Sequence, residues 1–389
     1  MSFSSCPELR QSYSRYGEGI TTFSERFGGL IVRHRMGNSS TSNAETVCSA
    51  FAGALADFRR SSPALVMSHN DADGLSAAAI LTRAFSAAGW PVWTRILGRG
   101  ETPWSPAVKA EILAAAPGGL IVADLGTRPG LIAPCVPTVV LDHHVPMGVP
   151  DGALLISGHA FAPIPTSSLI AWWCASALAD TADLLWLAAL GLIGDMAEKA
   201  GFPELDEARR KYGITALRDA VSLINAPRRS GSGDIGPALA LLMTAAGPKE
   251  VTSGNRPEVA ALRAAKEEVK TALEAAKRIG PKVHNGIALL RFDTRCQVHP
   301  LLAQIWRSRL KGEIVIAANA GYRPGWVHFA ARTARDISLI EFLAEHAPPG
   351  ADENYGSGHA GASGGALRPV NWNKFVTQLG FGPDEQVPV

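Results

Sequence analysis

Four short segments hold the residues best able to do chemistry. His69-Asn70-Asp71-Ala72-Asp73-Gly74 follows the apolar run ALVMS, Asp124 follows GLIVA, Asp142-His143-His144 follows TVVL, and Asp195 follows GLIG. Each acid closes an apolar run, where an unpaired charge is costly. Several carboxylates converging on one place repel one another, and a divalent cation removes that repulsion. Oxygen ligands with one or two imidazoles and no thiolate suit manganese or magnesium better than zinc. Asp71, Asp73, Asp124, His143, His144 and Asp195 are the candidate ligands, with His69 as a further one. That is more than one ion needs, and it suits two ions about 3.5–4 Å apart sharing a carboxylate. Such a pair generates hydroxide and stabilises the attacking and leaving oxygens of a phosphoryl group, so the expected reaction is hydrolysis of a phosphoester or phosphoanhydride. A lone Asp after a strand is usually a turn or cap residue; four segments with acids in the same topological place are not explained by capping.

The elements that must carry these residues alternate. ALVMSH (64–69), VWTRIL (92–97), GLIVADLG (119–126) and TVVLDHH (138–144) are short apolar runs that read as buried strands. GLSAAAILTRAFSAAG (74–89) and SPAVKAEILAAA (105–116) have helical spacing, the second with Ser105 as its cap. Strand–helix alternation predicts an α/β fold with a parallel sheet covered on both faces. In such sheets ligands bind at the carboxyl ends of the strands, where the acids lie. Residues 167–225 read as mainly helical, 225–237 as a Gly/Ser/Pro loop, and 256–280 as a long charged helix joining two parts. GIALLRF, EIVIAANA and WVHFAART (286–292, 313–320, 326–333) are strand candidates of a second, smaller α/β domain. Residues 1–45 are a polar, Ser-rich arm. Trp172, Trp173 and Trp186 are expected in the core, whereas Trp306, Trp326 or Trp372 could stack a base.

The 389 residues are 47% hydrophobic and 19% charged, a globular composition that excludes collagen, coiled coil and disorder as the main state. The net charge of +2 neither requires nor forbids a nucleic-acid partner. Five scattered cysteines without CxxC spacing argue against a disulfide framework or zinc ribbon and fit a reducing compartment. With no apolar leader and no membrane-length run, the expectation is a cytoplasmic protein without a membrane partner.

DADG, VADLG, LDHH and GLIGD, in this order, resemble motifs I to IV of the DHH phosphoesterase family, which includes RecJ-type single-strand exonucleases, nanoRNases, cyclic-dinucleotide phosphodiesterases and family II inorganic pyrophosphatases. Tyr355-Gly356-Ser357-Gly358-His359 resembles the GGGH signature of the DHH-associated C-terminal domain, with Ser357 in place of a glycine. The same stretch fits a dinucleotide fingerprint and a nucleophile elbow, but HAPPGADENY before it is not the strand either one needs. The resemblance implies that Asp71 and Asp73 bind different metals, Asp124 bridges them, His143 ligates, His144 ligates or contacts the phosphate, Asp195 completes the second metal and Asp142 orients the histidines. His69 stands two residues before the first Asp, as in archaeal RecJ-like proteins. Arg332 matches a substrate-side arginine, and Gly356, Gly358 and His359 would close on a phosphate or base. Asn225-Ala226-Pro227-Arg228-Arg229 resembles the N-A-x-G-R segment of RecJ-like proteins, with Arg228 for the glycine and Arg229 on the substrate.

The implied organisation is a parallel-sheet DHH catalytic domain (46–250), a connecting helix (251–281) and a smaller α/β DHH-associated substrate-binding domain (282–389). The implied function is a metal-dependent phosphodiesterase, first of all a RecJ-like exonuclease. It would use two Mn²⁺ or Mg²⁺ ions on single-stranded DNA or RNA or short oligonucleotides. Alternatives are a phosphodiesterase or phosphatase of cyclic dinucleotides, dinucleotides or pAp, and a non-catalytic RecJ-like partner of a replication or repair complex.

Overall fold

The computed structural model describes residues 30–31, 40–349, 351 and 355–389, with 30–31, 40–42, 357 and 359 described by their backbone alone. The polar arm expected at 1–45 therefore lies outside the described residues, apart from β1 (Leu30–Ile31) and the start of α1 (Ser40–Leu55). The chain forms two compact units. One runs to Asn225 and resumes over Ile235–Ala260; the other comprises Ala226–Asp234 and Ala261–Val389.

The first unit continues with β2 (Ala64–Ser68), α2 (Ala72–Ala87), β3 (Val92–Ile96), α3 (Pro106–Ala115), β4 (Gly119–Ala123), β5 (Thr138–Asp142) and β6 (Ala153–Ser157). Every strand pairing in its sheet is parallel, in the order β1-β6-β5-β4-β2-β3. Alternate side chains go to opposite faces of a strand. Leu65, Met67, Leu120, Val122, Val140 and Leu155 accordingly share one face, packed under Val108 and Ile112 of α3. Helices α4 (Ser167–Ala175) and α5 (Leu185–Gly194) pack with α2, and α6 (Pro203–Tyr212) and α7 (Ile214–Ile224) follow. Trp173 and Trp186 are buried, as their apolar surroundings predict. From β2 the chain moves outward to β3, then returns past β2 to β4 and onward to β5 and β6. Strand order thus reverses between β2 and β4, and the crevice beyond their carboxyl ends is the topological switch point of an open α/β sheet. The sequence reading passed over β6, whose five residues carry no candidate chemistry.

The loop expected at 225–237 contains a short helix, α8 (Ala226–Arg229), which belongs to the second unit; α9 (Gly236–Thr244) and α10 (Pro248–Ser253) return to the first. The long helix is α11 (Pro257–Lys277), and the unit boundary falls inside it, after Ala260. The second unit has β7 (Lys282–His284), β8 (Ile287–Phe292), α12 (His299–Arg309), β9 (Ile314–Arg323), β10 (Trp326–Thr333), α13 (Leu339–Glu345), β11 (Ser357–His359), β12 (Ala362–Leu367) and α14 (Pro369–Gln378). Its mixed sheet has the order β11-β12-β10-β9-β8-β7. Ile287, Leu289, Ile314 and Ile316 face α13 and α14, while Ala288, Leu290, Val315 and Ala317 face α11 and α12. Burial on both faces explains the unbroken apolar runs. Trp372 is fully buried and its Nε1 donates to the Glu385 carbonyl at 3.0 Å, so it is a core residue with no face for a base. No helix among the described residues is long and apolar enough to cross a membrane.

Candidate metal centre

The centre grows out of four chain reversals in the first unit. After β2, Ser68 Oγ donates to the carbonyls of Gly74 (2.7 Å) and Ala123 (3.0 Å), tying the turn into α2 to the end of β4. Asp71 is the N-cap of α2, accepting from the Gly74 amide at 3.1 Å. A Cβ on Gly74 would stand 2.5 Å from the His69 carbonyl oxygen, so only glycine fits this turn. Asn225 Oδ1 accepts from the Ala72 amide at 3.0 Å and holds the residue between the two aspartates. Asp124, just past β4, has φ +62°, a left-handed conformation that Asp tolerates better than most residues. Asp195 is the C-cap of α5.

These reversals bring His69, Asp71, Asp73, Asp124, His143 and Asp195 together. His69 Nδ1 lies 3.0 Å from Asp71 Oδ2 and 3.5 Å from Asp124 Oδ2. His143 Nε2 lies 3.1 Å from Asp195 Oδ2 and 3.5 Å from Asp124 Oδ1. Three groups each present single donor atoms within 4.8 Å of one another: His69, Asp71 and Asp124; Asp73, Asp124, His143 and Asp195; and Asp124, His143 and His144. Asp124 is common to all three. Asp142 belongs to none of them. It is buried and accepts from the Gly126 amide (2.7 Å), the His144 amide (2.8 Å) and, in the proton-bearing tautomer, His144 Nδ1 at 3.2 Å. It therefore orients His144, whose ring stays half exposed.

The electrostatics describe an excess of negative charge in a buried place. Burial pushes the Asp73 carboxyl well above the usual range, and Asp124 and Asp195 add to the push. Burial likewise raises Asp195, with Asp124 and Asp71 contributing against the pull of His143. Burial would lower His69, but Asp71 and Asp124 outweigh it and hold its pKa at about 10. His143 is pushed up to about 11, because Asp124, Asp195 and Asp73 outweigh its burial. The hydrogen bond to Asp142 raises His144. Burial would raise Asp142 itself, but the bonds from His144 and Gly126 hold it low. His143 Nε2 is buried among the carboxylates and makes no hydrogen bond of good geometry. Oxygen donors in excess and one unsatisfied imidazole nitrogen fit a hard or borderline divalent cation. A carboxylate common to all three donor groups fits two ions that share it.

Apart from His144, the expected substrate residues lie in the second unit. Arg229 ends α8, and its carbonyl accepts from the Gln297 amide at 2.8 Å. Arg332 lies on β10 and donates to the Ala331 (2.8 Å) and Ser363 (3.1 Å) carbonyls; burial lowers its pKa, with Arg307 contributing. The Gly-rich segment forms the antiparallel hairpin β11–β12 on the free edge of β10, with Arg332 opposite Ala362. Gly356 (φ +73°) and Gly358 (φ +126°) are in conformations that favour glycine, and a Cβ on Gly358 would meet the Ala362 carbonyl oxygen at 2.5 Å. The donor role expected of His359 rests on a side chain outside the described residues. Sequence reasoning missed Ser167 and Ser168, whose amides hold Asp73, and singled out Asn225 only as part of the N-A-x-G-R-like segment, not for its bond with the Ala72 amide. The only signal was the run Pro165-Thr166-Ser167-Ser168 before an apolar stretch, which reads as an ordinary helix start.

No family model matches the chain, and no curated protein matches it. Among solved structures, a RecJ from Thermus thermophilus in complex with Mn²⁺ superposes with a TM-score of 0.62 at 22% identity, covering 86% of this chain and 54% of that one. The chain thus spans about half the length of that RecJ. An exonuclease RecJ bound to manganese superposes at 0.61 with 21% identity, covering 87% and 95%. A DHH domain described as a member of the S1p family of ribosomal proteins superposes at 0.57 with 16% identity, covering 87% and 89%.

Proposed function

Since the chain has the fold of RecJ-like DHH proteins, we propose that it is a metal-dependent phosphodiesterase of single-stranded DNA, RNA or short oligonucleotides, acting from an end. The observation that carries this reading is that the donor groups all meet at Asp124. His69, Asp71 and Asp124 would hold one ion, and Asp73, Asp124, His143 and Asp195 the other. Two bound Mn²⁺ or Mg²⁺ ions would supply a nucleophile at neutral pH and neutralise charge on the phosphoryl oxygens. His144, held by Asp142 and raised in pKa by that hydrogen bond, is exposed beside the centre and contacts the scissile phosphate. Arg332, Arg229 and the β11–β12 hairpin contribute substrate contacts; the hairpin's glycines let backbone amides approach a phosphate.

The test is turnover of end-labelled 2-mer, 5-mer and 20-mer DNA and RNA with Mn²⁺ and with excess EDTA. Progressive shortening of the 20-mer, stopped by EDTA, is the expected result. Cleavage of the 2-mer alone would replace the exonuclease by a small-nucleotide phosphodiesterase. Full activity in EDTA, or no hydrolysis of any substrate by manganese-loaded protein, would overturn the proposal.

A further inference from the structure

Asp73 does not stand alone in its buried site. Its carboxylate faces the N-terminus of α4, where Oδ2 accepts from the Ser167 amide at 2.8 Å and Oδ1 from the Ser168 amide at 2.9 Å. The N-cap residue of α4, Thr166, makes no side-chain cap, and its hydroxyl instead shares a hydrogen bond with Ser168 Oγ at 3.1 Å. Asp73 therefore takes the place of the missing cap, from 94 residues away. Ser167 does a second thing. Its hydroxyl donates to Asp124 Oδ1 at 3.0 Å, and the residue is completely buried. One serine thus grips two acids that arrive from different elements, Asp73 from α2 through its amide and Asp124 from the end of β4 through its hydroxyl.

We propose that Ser167 is the positioning residue of the metal centre: it fixes the shared carboxylate of Asp124 relative to Asp73, so that one rotamer of Asp124 serves both donor sets. The proposal rests on the two-ion reading of the centre. An ionised carboxylate offers acceptor sites on both oxygens beyond those that ligate, and a partner that fills one of them sets the orientation of the rest. Without the hydroxyl, Asp124 keeps its contacts with His69 and His143, which at 3.5 Å are both longer than the 3.0 Å bond from Ser167. It then loses the contact that ties it to the Asp73 side. The residue is not expected to touch substrate.

Ser167→Ala separates the two grips, because it removes the bond to Asp124 and leaves the amide on Asp73 in place. Loss of an outer partner of a metal ligand typically costs ten- to a hundredfold in metal affinity or activity. Titration calorimetry with Mn²⁺ should show at least one ion bound about tenfold or more weakly by Ser167→Ala. The spectrum of the spin-coupled manganese pair should weaken at equal loading, while circular dichroism stays unchanged. In the full chain, kcat on a 5-mer should fall with KM little altered, and Ser167→Thr, which restores a hydroxyl, should recover part of both losses. Should Ser167→Ala misfold, the comparison passes to Ser167→Thr and Ser167→Cys, of which only the first should approach the wild-type manganese titration. Wild-type manganese affinity and spectrum in a folded Ser167→Ala protein would overturn the proposal. Absence of oligonucleotide turnover in the wild type would sink the proposed reaction instead, and the manganese titration would still decide the role of Ser167.

Discussion

Asp124 combines a left-handed backbone with a carboxylate common to every donor group of the centre. Asn also tolerates that backbone, so Asp124→Asn removes the charge with little strain. It should abolish measurable hydrolysis of a 5-mer and keep the wild-type circular dichroism, and His143→Ala should do the same; near-wild-type rates in either variant would move the centre elsewhere. A different single-residue effect belongs to His299, at the start of α12. Its imidazole is buried beside Tyr322 and His328 with Nδ1 unsatisfied. Burial, with His328 and Arg332 nearby, lowers its pKa to about 3. The unfolded chain takes up this proton near pH 6.5, and the folded one refuses it until about pH 3. Stability is therefore intact above pH 6.5 and falls as the pH drops through that window, by about 1.4 kcal/mol per unit. Between pH 7 and pH 5 the denaturant midpoint of wild type should fall further than that of His299→Gln, and parallel profiles would refute this. The acids and histidines of the centre could be read from sequence, because a charged residue ending an apolar run is conspicuous. The roles of Ser167 and Asn225 could not, since a serine at a helix start is commonplace and the N-A-x-G-R-like segment does not show what its asparagine holds. Their partners lie 94 and 153 residues away.

Among the elements, the strands β2, β4 and β5 and the helix α2 are legible because apolar runs buried on both faces leave no other local reading. The hairpin β11–β12 is not. Ala362-Ser363-Gly364-Gly365-Ala366-Leu367 is poor in strand-forming side chains, and it is the open edge of β10 that recruits it. The packing of α5 also hides in the sequence. Gly191 reads as a weak point in an apolar helix, yet a Cβ there would overlap Ser168 Oγ and Asp73 Oδ1. It is the absence of a side chain that lets α5 lie against α2 and α4. Gly191→Ala should raise helix propensity and still destabilise, since overpacking a tight core costs typically about 1–3 kcal/mol. Differential scanning calorimetry should show a lower Tm, and manganese titration a weaker ion on the Asp73 side. A raised Tm with unchanged manganese binding would mean that the three helices have slack.

For the whole molecule, the residues expected to ligate metal lie in the first unit, and those expected to meet substrate, His144 apart, lie in the second, so that each set can be disabled separately. Arg332→Ala should weaken oligonucleotide binding by ten- to a hundredfold, the worth of roughly 1.5–3 kcal/mol for a charge-assisted hydrogen bond, with manganese titration unchanged. Anisotropy of a labelled 5-mer measures the first and calorimetry the second; lost manganese with retained affinity would reverse the assignment. The sequence announced two domains through the long helix α11 but did not reveal that the chain changes unit after residues 225, 234 and 260. Local patterns mark where helices and strands run, not which neighbour a short stretch such as 226–234 will join. No single cut in the chain separates the second unit whole. A breakpoint after residue 260 leaves Arg228 and Arg229 behind; one after residue 225 carries α9 and α10 away with them. Neither unit can therefore be cut out as one contiguous stretch, and to express either alone two separate pieces of chain must be rejoined.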